Sequence, residues 1–279
     1  MSFQPIIPLQ GIAGWRFLER TQETQQAAFD KGPQMAREIA YFEENIGKVA
    51  STADLMSDRR LLKVALGAFG LEQDIDKKAW VRKILDEGTE DPEALAARLA
   101  DKSYAKLSDA FGFGNAAGSR TGLPDFAREI TDAYRVRSFE VAVGENNNDM
   151  RLAMSFRREI ADLANQGETG ASWFTVLGSK PLRSVVEAAF GLPTQFGQID
   201  IDRQRDILRD KSSAMFGSAD LTAFRDPANV DKLIDRFLAI SQIRNGPSAV
   251  TGGSPALTLL QSANGGGSQG LFNLLSASG

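Results

Sequence analysis

The stretch that decides the fold is Ala-Phe-Gly-Leu at residues 68–71, because residues 189–192 repeat the same four letters in similar surroundings. Each copy closes an apolar run, at residues 61–69 and 182–190. A helix can end with a phenylalanine packed inward and a glycine in the left-handed conformation, which a Cβ atom would disfavour. The repeat therefore predicts two related helical units, each with a helix that ends at its glycine.

The two copies also agree further along the chain. An Asp-Ile-Asp triplet follows each copy, and an Asp-Pro pair follows each triplet, at residues 91–92 and 226–227. Aspartate is a favoured N-cap and proline a favoured first residue of a helix, so each pair predicts a helix start. A third, partial copy is Ala-Phe-Gly-Phe at residues 110–113. We interpret all three as structural helix ends, and the residues of the repeat are Phe69, Gly70, Asp74, Asp76, Phe111, Gly112, Phe190, Gly191, Asp200 and Asp202.

Apolar residues recur at helical spacing from about residue 15 to residue 243, which predicts an all-α, multi-helix bundle. One apolar stripe lies between a proline and a glycine stop and comprises Met35, Ile39, Phe42 and Ile46. A second stripe comprises Leu152, Phe156, Ile160 and Leu163. Ser51 and Asp54 have the spacing of a capping box. Residues 139–143 alternate between apolar and other residues, so a strand is the alternative to a helix there.

The pattern predicts four segments: an extended N-terminal segment at residues 1–14, a first helical unit at 15–120, a second unit at 121–243 packed on the first, and a Gly/Ser-rich tail at 244–279. We expect both termini to be flexible. Short apolar clusters in the tail are either tolerated there or bind as helices in a partner's groove. Their residues are Leu257, Leu259, Leu260, Leu271, Phe272, Leu274 and Leu275.

The N-terminal segment raises the same question about its apolar residues. Pro5 and Pro8 favour an extended chain. The apolar side chains either pack on the protein's own helices, which we favour, or contact a partner. They are Phe3, Ile6, Ile7, Leu9 and Ile12.

The composition excludes several classes of function. With Cys 0 and His 0, the chain has no thiolate and no Ser–His catalysis, and it lacks the usual zinc and copper ligands. A net charge of −4 provides no overall positive field, so we expect no nucleic-acid partner. We also expect no membrane span and no cleavable secretion signal, and therefore a cytoplasmic location.

The repeated Asp-x-Asp spacing, at residues 74–76 and 200–202, is one by which some sugar-nucleotide transferases hold a divalent metal. Both triplets lie between predicted helices, where Asp76 and Asp202 are expected to accept hydrogen bonds from free backbone amides. We therefore predict no catalytic, metal or cofactor-binding residue. The alternative is a carboxylate-based metal-binding protein or enzyme that uses these segments.

Several stretches resemble a bacterial family designated domain of unknown function 1217. The resemblance implies a helical protein that is often encoded among flagellar genes, and it supplies no catalytic residues. We therefore expect a non-catalytic, flagellum-associated assembly or accessory protein that contacts other proteins, possible flagellar components among them, in the cytoplasm or at the flagellum. The resemblance is carried by residues 8–15, 58–65, 68–71, 98–101, 111–114 and 173–178.

Overall fold

The computed structural model describes residues 3–166 and 172–245, and these form only helices, turns and irregular segments, without a strand. The prediction of an all-α protein is confirmed. Short 3-10 helices occupy Ile46–Lys48, Glu72–Asp74, Thr194–Gln198 and Leu221–Arg225. The α-helices are α1 (Gly11–Asp30), α2 (Pro33–Asn45), α3 (Thr52–Ser57), α4 (Arg59–Ala68), α5 (Lys78–Glu87), α6 (Leu95–Arg98), α7 (Ser103–Phe111), α8 (Phe126–Asn146), α9 (Asn148–Asn165), α10 (Trp173–Gly178), α11 (Lys180–Ala189), α12 (Ile201–Phe216) and α13 (Pro227–Asn245).

The predicted apolar stripes form the buried faces of two helices. Three residues of the first stripe are buried along α2, and the fourth, Ile46, is buried in the 3-10 helix that follows. The second stripe faces inward along α9, with Leu152 partly buried. The capping box is also present, because Ser51 accepts from the Asp54 backbone and Asp54 accepts from the Ser51 backbone. Asp226 accepts from the backbone of Ala228 at the start of α13, as the Asp-Pro pair predicts. The prediction is wrong for the other pair, because Asp91 accepts from the Glu93 backbone in a turn and α6 begins only at Leu95.

Residues 139–143 lie in the second half of α8, so the strand alternative is wrong. Phe139 and Val143 are completely buried, and their separation of four residues places them on one face of a helix. Val141, which the alternation would have grouped with them, is half-buried. A short run of β-branched residues suits a buried helix face as well as a strand, because length and packing decide between them.

The glycines of the repeat end helices as predicted. Gly70, Gly112 and Gly191 have φ values of 75°, 71° and 67°. After α4, the Leu71 N–H donates to the Leu66 carbonyl at 2.9 Å, and after α11 the corresponding bond joins Leu192 to Glu187 at 2.9 Å. These are the bonds of a Schellman motif, which satisfies carbonyls left free at a helix end. The repeated sequence thus encodes a repeated helix end.

Helix α1 begins at Gly11, four residues before the predicted start at Trp15, so the N-terminal segment is extended only as far as Gln10. Glycines weaken a helix in isolation, and this is why the sequence pattern placed the start later. Close packing favours glycine here, since a Cβ atom at Gly14 would overlap the Leu9 carbonyl. The apolar tail residues at positions 257–275 lie outside the described part of the chain.

Buried apolar side chains form two clusters, which we call the first and second core. The first core extends from Met35 to Tyr134, and the second contains Phe139 to Leu238 together with Trp15 and Leu18 of α1. The division between the two cores therefore falls inside α8. The units predicted at 15–120 and 121–243 stay a prediction, although α1 packs with the second core.

We predict that Gly191→Ala lowers the free energy of unfolding by about 1–2 kcal/mol, because an alanine at positive φ is strained. A new methyl group would meet no atom within 4 Å at this position, so backbone strain is the whole cost. Gly47→Ala is the matched control, since Gly47 also has open space but lies outside the left-handed region. Urea denaturation should show that Gly47→Ala is neutral or stabilising; equal losses for both variants would contradict the argument.

Candidate functional site

A polar cleft of about 430 Å³ lies between elements of the two cores, and we call it the central cleft. Its walls come from the turn after α4, the start of α7, the middle of α8, the first half of α9 and the start of α11. Ionisable side chains are concentrated in it. They are Glu72, Asp74, Asp101, Arg137, Glu140, Arg151, Glu159 and Lys180.

A buried ion pair connects α8 to α9 beside the cleft. The Arg158 guanidinium donates from Nε to Glu140 Oε1 at 2.8 Å and from Nη2 to Glu140 Oε2 at 2.9 Å. The Glu140 side chain is only 7% exposed. Burial opposes the charge on Arg158, but its hydrogen bonds to Glu140 outweigh this and raise its pKa. The two-point geometry fixes the relative position of the two helices.

Arg137 lies one helical turn from Glu140 on α8, but it has no two-point carboxylate partner. Its side chain is 17% exposed, and its closest carboxylate oxygen is Glu159 Oε1 at 3.6 Å from Nη1. That oxygen already accepts from Arg158 Nη2 at 3.2 Å. Burial, and then the nearby Arg158 charge, lower the pKa of Arg137. Arg137 therefore has donors available in the cleft.

The first copy of the repeat borders this cleft. A Cβ atom at Gly70 would lie 2.7 Å from Arg137 Nη1, so the glycine leaves room for the guanidinium. A Cβ atom at Gly191, the equivalent residue of the second copy, would contact nothing within 4 Å. The two copies thus share a backbone conformation but differ in their surroundings. Phe111 and Phe190 are buried, and Phe69 is partly buried, as expected of helix ends packed inward.

The four aspartates of the repeat have separate partners, and the prediction that Asp76 and Asp202 are caps is wrong. Asp200 is the N-cap of α12 and accepts from the backbone of Asp202 and Arg203. Asp202, in the first turn, pairs with Arg205 at 3.0 Å. Asp200, and not Asp202, is the N-cap because the helix begins directly after Asp200.

In the first copy, neither aspartate caps α5, which begins after Lys77 without a side-chain cap. Asp76 pairs with Arg59 at 2.7 Å, and both side chains are largely exposed. Asp74 is buried, and accepts from the Tyr104 hydroxyl and pairs with Lys77 at 2.7 Å. Among residues 3–166 and 172–245, no three acidic side chains are grouped so that they could hold a metal ion.

Tyr104 is one of three tyrosines in the chain, and each donates its hydroxyl to a carboxylate. Tyr41 donates to Asp58, and Tyr134 donates to Glu38. Burial and the Asp74 hydrogen bond raise the pKa of Tyr104 to about 12. Burial raises the pKa of the acceptor carboxyl groups, but hydrogen bonds from tyrosine and neighbouring groups outweigh it and leave each pKa below its ordinary value.

The sequence pattern did not single out Arg137 or Glu140, and it predicted that the basic pair Arg157-Arg158 lies on a solvated helix face, whereas Arg158 is bonded to Glu140. A signal for the first two was present, because they lie inside the helix between the buried residues Tyr134 and Val143. Charged residues next to a buried helix face require partners or a ligand. Which of them face a common cleft depends on helices distant in sequence, and spacing within α8 could not give this.

We predict that Glu140→Gln lowers the free energy of unfolding by roughly 1–3 kcal/mol, because it breaks the two-point pair and leaves the partly buried Arg158 guanidinium with Glu159 as its carboxylate partner. Asp132→Asn is the matched control on the same helix, since its ion pair with Arg135 is exposed. Chemical denaturation should show a change within about 0.5 kcal/mol for the control. Equal, small effects for both variants would mean that the buried pair does not stabilise the contact.

We also predict that the tyrosines of the folded protein ionise at higher pH than free tyrosine. Hydrogen bonding to Asp58 raises the pKa of Tyr41, and burial raises that of Tyr134. The stability that these groups supply is complete below the ordinary pKa of about 10 and is lost as the pH rises through the raised values. Tyrosinate absorbance, compared in buffer and in urea, measures this; coincident titration curves would contradict it.

The crystal structure of protein AGR_C_984 from Agrobacterium tumefaciens is similar, with a TM-score of 0.71 and 29% sequence identity over 87% of this chain and 99% of that chain. A comparison with curated proteins found no match. Within the described ranges, no helix has the length and apolar character needed to cross a membrane.

The family profile of a protein of unknown function, DUF1217, matches residues 68–230. The match covers more than half of the chain and includes the first and second copies of the repeat, the central cleft helices α8 and α9, and the ion pair between them. The resemblance found in the short sequence stretches is therefore confirmed, and the chain belongs to the DUF1217 family.

Proposed function

We propose that the protein is a non-catalytic accessory or assembly protein of the bacterial flagellum that acts by binding another protein. The observation that carries the binding part is a set of exposed apolar side chains near the described ends of the chain. Ile6, Leu9, Ile12 and Ile243 are 61%, 52%, 37% and 81% exposed. We call these four residues the apolar terminal surface. Exposed apolar side chains that form a patch are typical of a protein-binding surface.

The N-terminal segment was expected to be flexible, but its backbone at Pro5 and Ile6 is bonded to side chains of α1 and α8. The Ile6 N–H donates to Gln25 Oε1 at 2.7 Å, and Gln25 Nε2 donates to the Ile6 carbonyl at 3.1 Å. Asn146, at the end of α8, donates to the Pro5 carbonyl. Of the apolar N-terminal side chains that were expected to pack on the protein's own helices, Ile7 does pack against the second core. The expectation is wrong for Ile6, Leu9 and Ile12, which are exposed. A fixed backbone presents the apolar side chains with little ordering cost on binding.

The end of α13 joins the same region. A Cβ atom at Gly11 would overlap the side-chain amide of Gln242, so the start of α1 lies directly against the end of α13. Ile243 is the next residue and is the most exposed of the four. Apolar side chains from two chain segments then suit the apolar face of an amphipathic helix of a partner.

The flagellar part of the proposal comes from the family. Resemblance to DUF1217 implies genes that often lie among flagellar genes, and a cytoplasmic or flagellum-associated location follows from it. The non-catalytic part rests on composition, with Cys 0 and His 0, and on the aspartates of the repeat, each of which has its own partner. The carboxylate-based metal site has no comparable support among the described residues.

Deleting the gene and complementing the strain tests this proposal. We expect the deletion to reduce swimming and the number of basal bodies, and wild-type protein to restore both. The double variant Leu9→Ser with Ile12→Ser should fail to restore them, because serine removes the apolar contact. Ile201→Ser is the matched control, since Ile201 is 46% exposed on α12.

Two results would contradict the proposal separately. Normal swimming with normal basal bodies in the deletion strain would end the flagellar assignment. Full complementation by the double variant would show that the apolar terminal surface is not the contact. Immunoblotting should confirm that each variant accumulates like the wild-type protein.

A further inference from the structure

The central cleft contains a guanidinium whose N–H donors are not filled by the described residues. Arg137 forms an ion pair with Glu159 at 3.6 Å, but it makes no hydrogen bond within the described ranges, and its side chain is 17% exposed. A guanidinium carries five N–H donors in a planar arrangement that matches carboxylate and phosphate groups. Because Arg137 lines the cleft and is still 17% exposed, its N–H groups can donate to an acceptor bound there.

The carboxylates of the cleft do not supply that acceptor, because each has another partner. Glu72 pairs with Arg151 at 3.3 Å, and Glu140 accepts two bonds from Arg158. Asp74 is held by Lys77 and Tyr104. Asp101 accepts from the backbone of Ser103. Glu159 is the nearest, and Arg158 already donates to the oxygen that faces Arg137.

A second, independent feature of the cleft also favours an anion. Helix α11, ten residues long, begins at the cleft, and its N-cap Ser179 makes no side-chain capping bond. Pro181 has no N–H and the Arg183 N–H donates to the Ser179 carbonyl, so Lys180 and Leu182 carry the free backbone donors of the first turn. These donors and the positive end of the helix dipole attract negative charge. Lys180 lies at the same edge of the cleft and is exposed, and within the described ranges it forms no ion pair.

From these observations we propose that the central cleft binds a small organic anion, whose carboxylate or phosphate group is held by Arg137 and faces the start of α11. The volume of about 430 Å³ lies in the range of small-ligand sites and is too small for a folded partner. Gly70 contributes by leaving space for the guanidinium, because a Cβ atom there would lie 2.7 Å from Arg137 Nη1. The site is separate from the apolar terminal surface, so it does not rest on the proposed function.

Binding is tested on the full-length protein by calorimetry and thermal unfolding with four probes: succinate, citrate, inorganic phosphate and glycerol phosphate. We expect at least one probe to bind saturably and to raise the melting temperature. The two carboxylate probes and the two phosphate probes distinguish the two sources of the anionic group. Arg137→Gln should weaken binding of that probe by about tenfold or more, because it removes a charge-assisted hydrogen bond. Arg135→Gln, on the same helix but outside the cleft, should bind like the wild type.

The two repeat glycines provide a second matched pair of variants, in which Arg137 itself is not mutated. Both variants, Gly70→Ala and Gly191→Ala, strain the same left-handed conformation. Only the first displaces Arg137, so it alone should weaken probe binding, and it decides the matter if Arg137→Gln does not fold. Failure of all four probes to bind, or unchanged affinity in Arg137→Gln, would overturn the proposal.

Discussion

Helix α8 supplies buried side chains to both cores, and the rest of the fold depends on this sharing. Phe126, Ile130 and Tyr134 pack in the first core, and Phe139 and Val143 pack in the second. At about 1.5 Å per residue, a helix of this length is long enough to serve both. Between its two buried faces α8 must carry side chains that fit neither core. Arg137 lies in that interval and Glu140 lies directly after Phe139, so charged side chains are placed where the two cores meet.

The charged side chains where the two cores meet have different roles. Glu140 and Arg158 form a two-point pair that holds α8 to α9, which is a structural role. Arg137 contributes little to that pair and lies at 3.6 Å from its nearest carboxylate oxygen. Arg137 pairs with Glu159 without a hydrogen bond, so its N–H donors remain available to a bound acceptor. Glu140 therefore stabilises the packing of α8 on α9, whereas the neighbouring Arg137 is available to bind a ligand.

Much of the fold could be predicted from the sequence because it depends on local chemistry. The stripe along α2, the capping box at Ser51 and the helix ends at Gly70 and Gly191 involve residues only a few positions apart. The start of α1 was missed because packing against the Leu9 carbonyl overrides the poor helix propensity of glycine. The Asp-x-Asp segments show the same limit: the spacing identified residues near helix starts, but only tertiary contacts decide whether an aspartate caps, pairs or is buried.

The repeat shows why sequence similarity within a chain does not fix a site. Both glycines adopt the same conformation for the same backbone reason, and this alone explains why the motif occurs twice. One faces open space, whereas the other is pressed against the guanidinium of a helix from another part of the chain. At Gly70 both the positive φ and the neighbouring guanidinium disfavour a Cβ atom, whereas at Gly191 only the positive φ does so. Function can arise at one copy of a duplicated structural element because its neighbours differ, and at Gly70 the differing neighbour is Arg137.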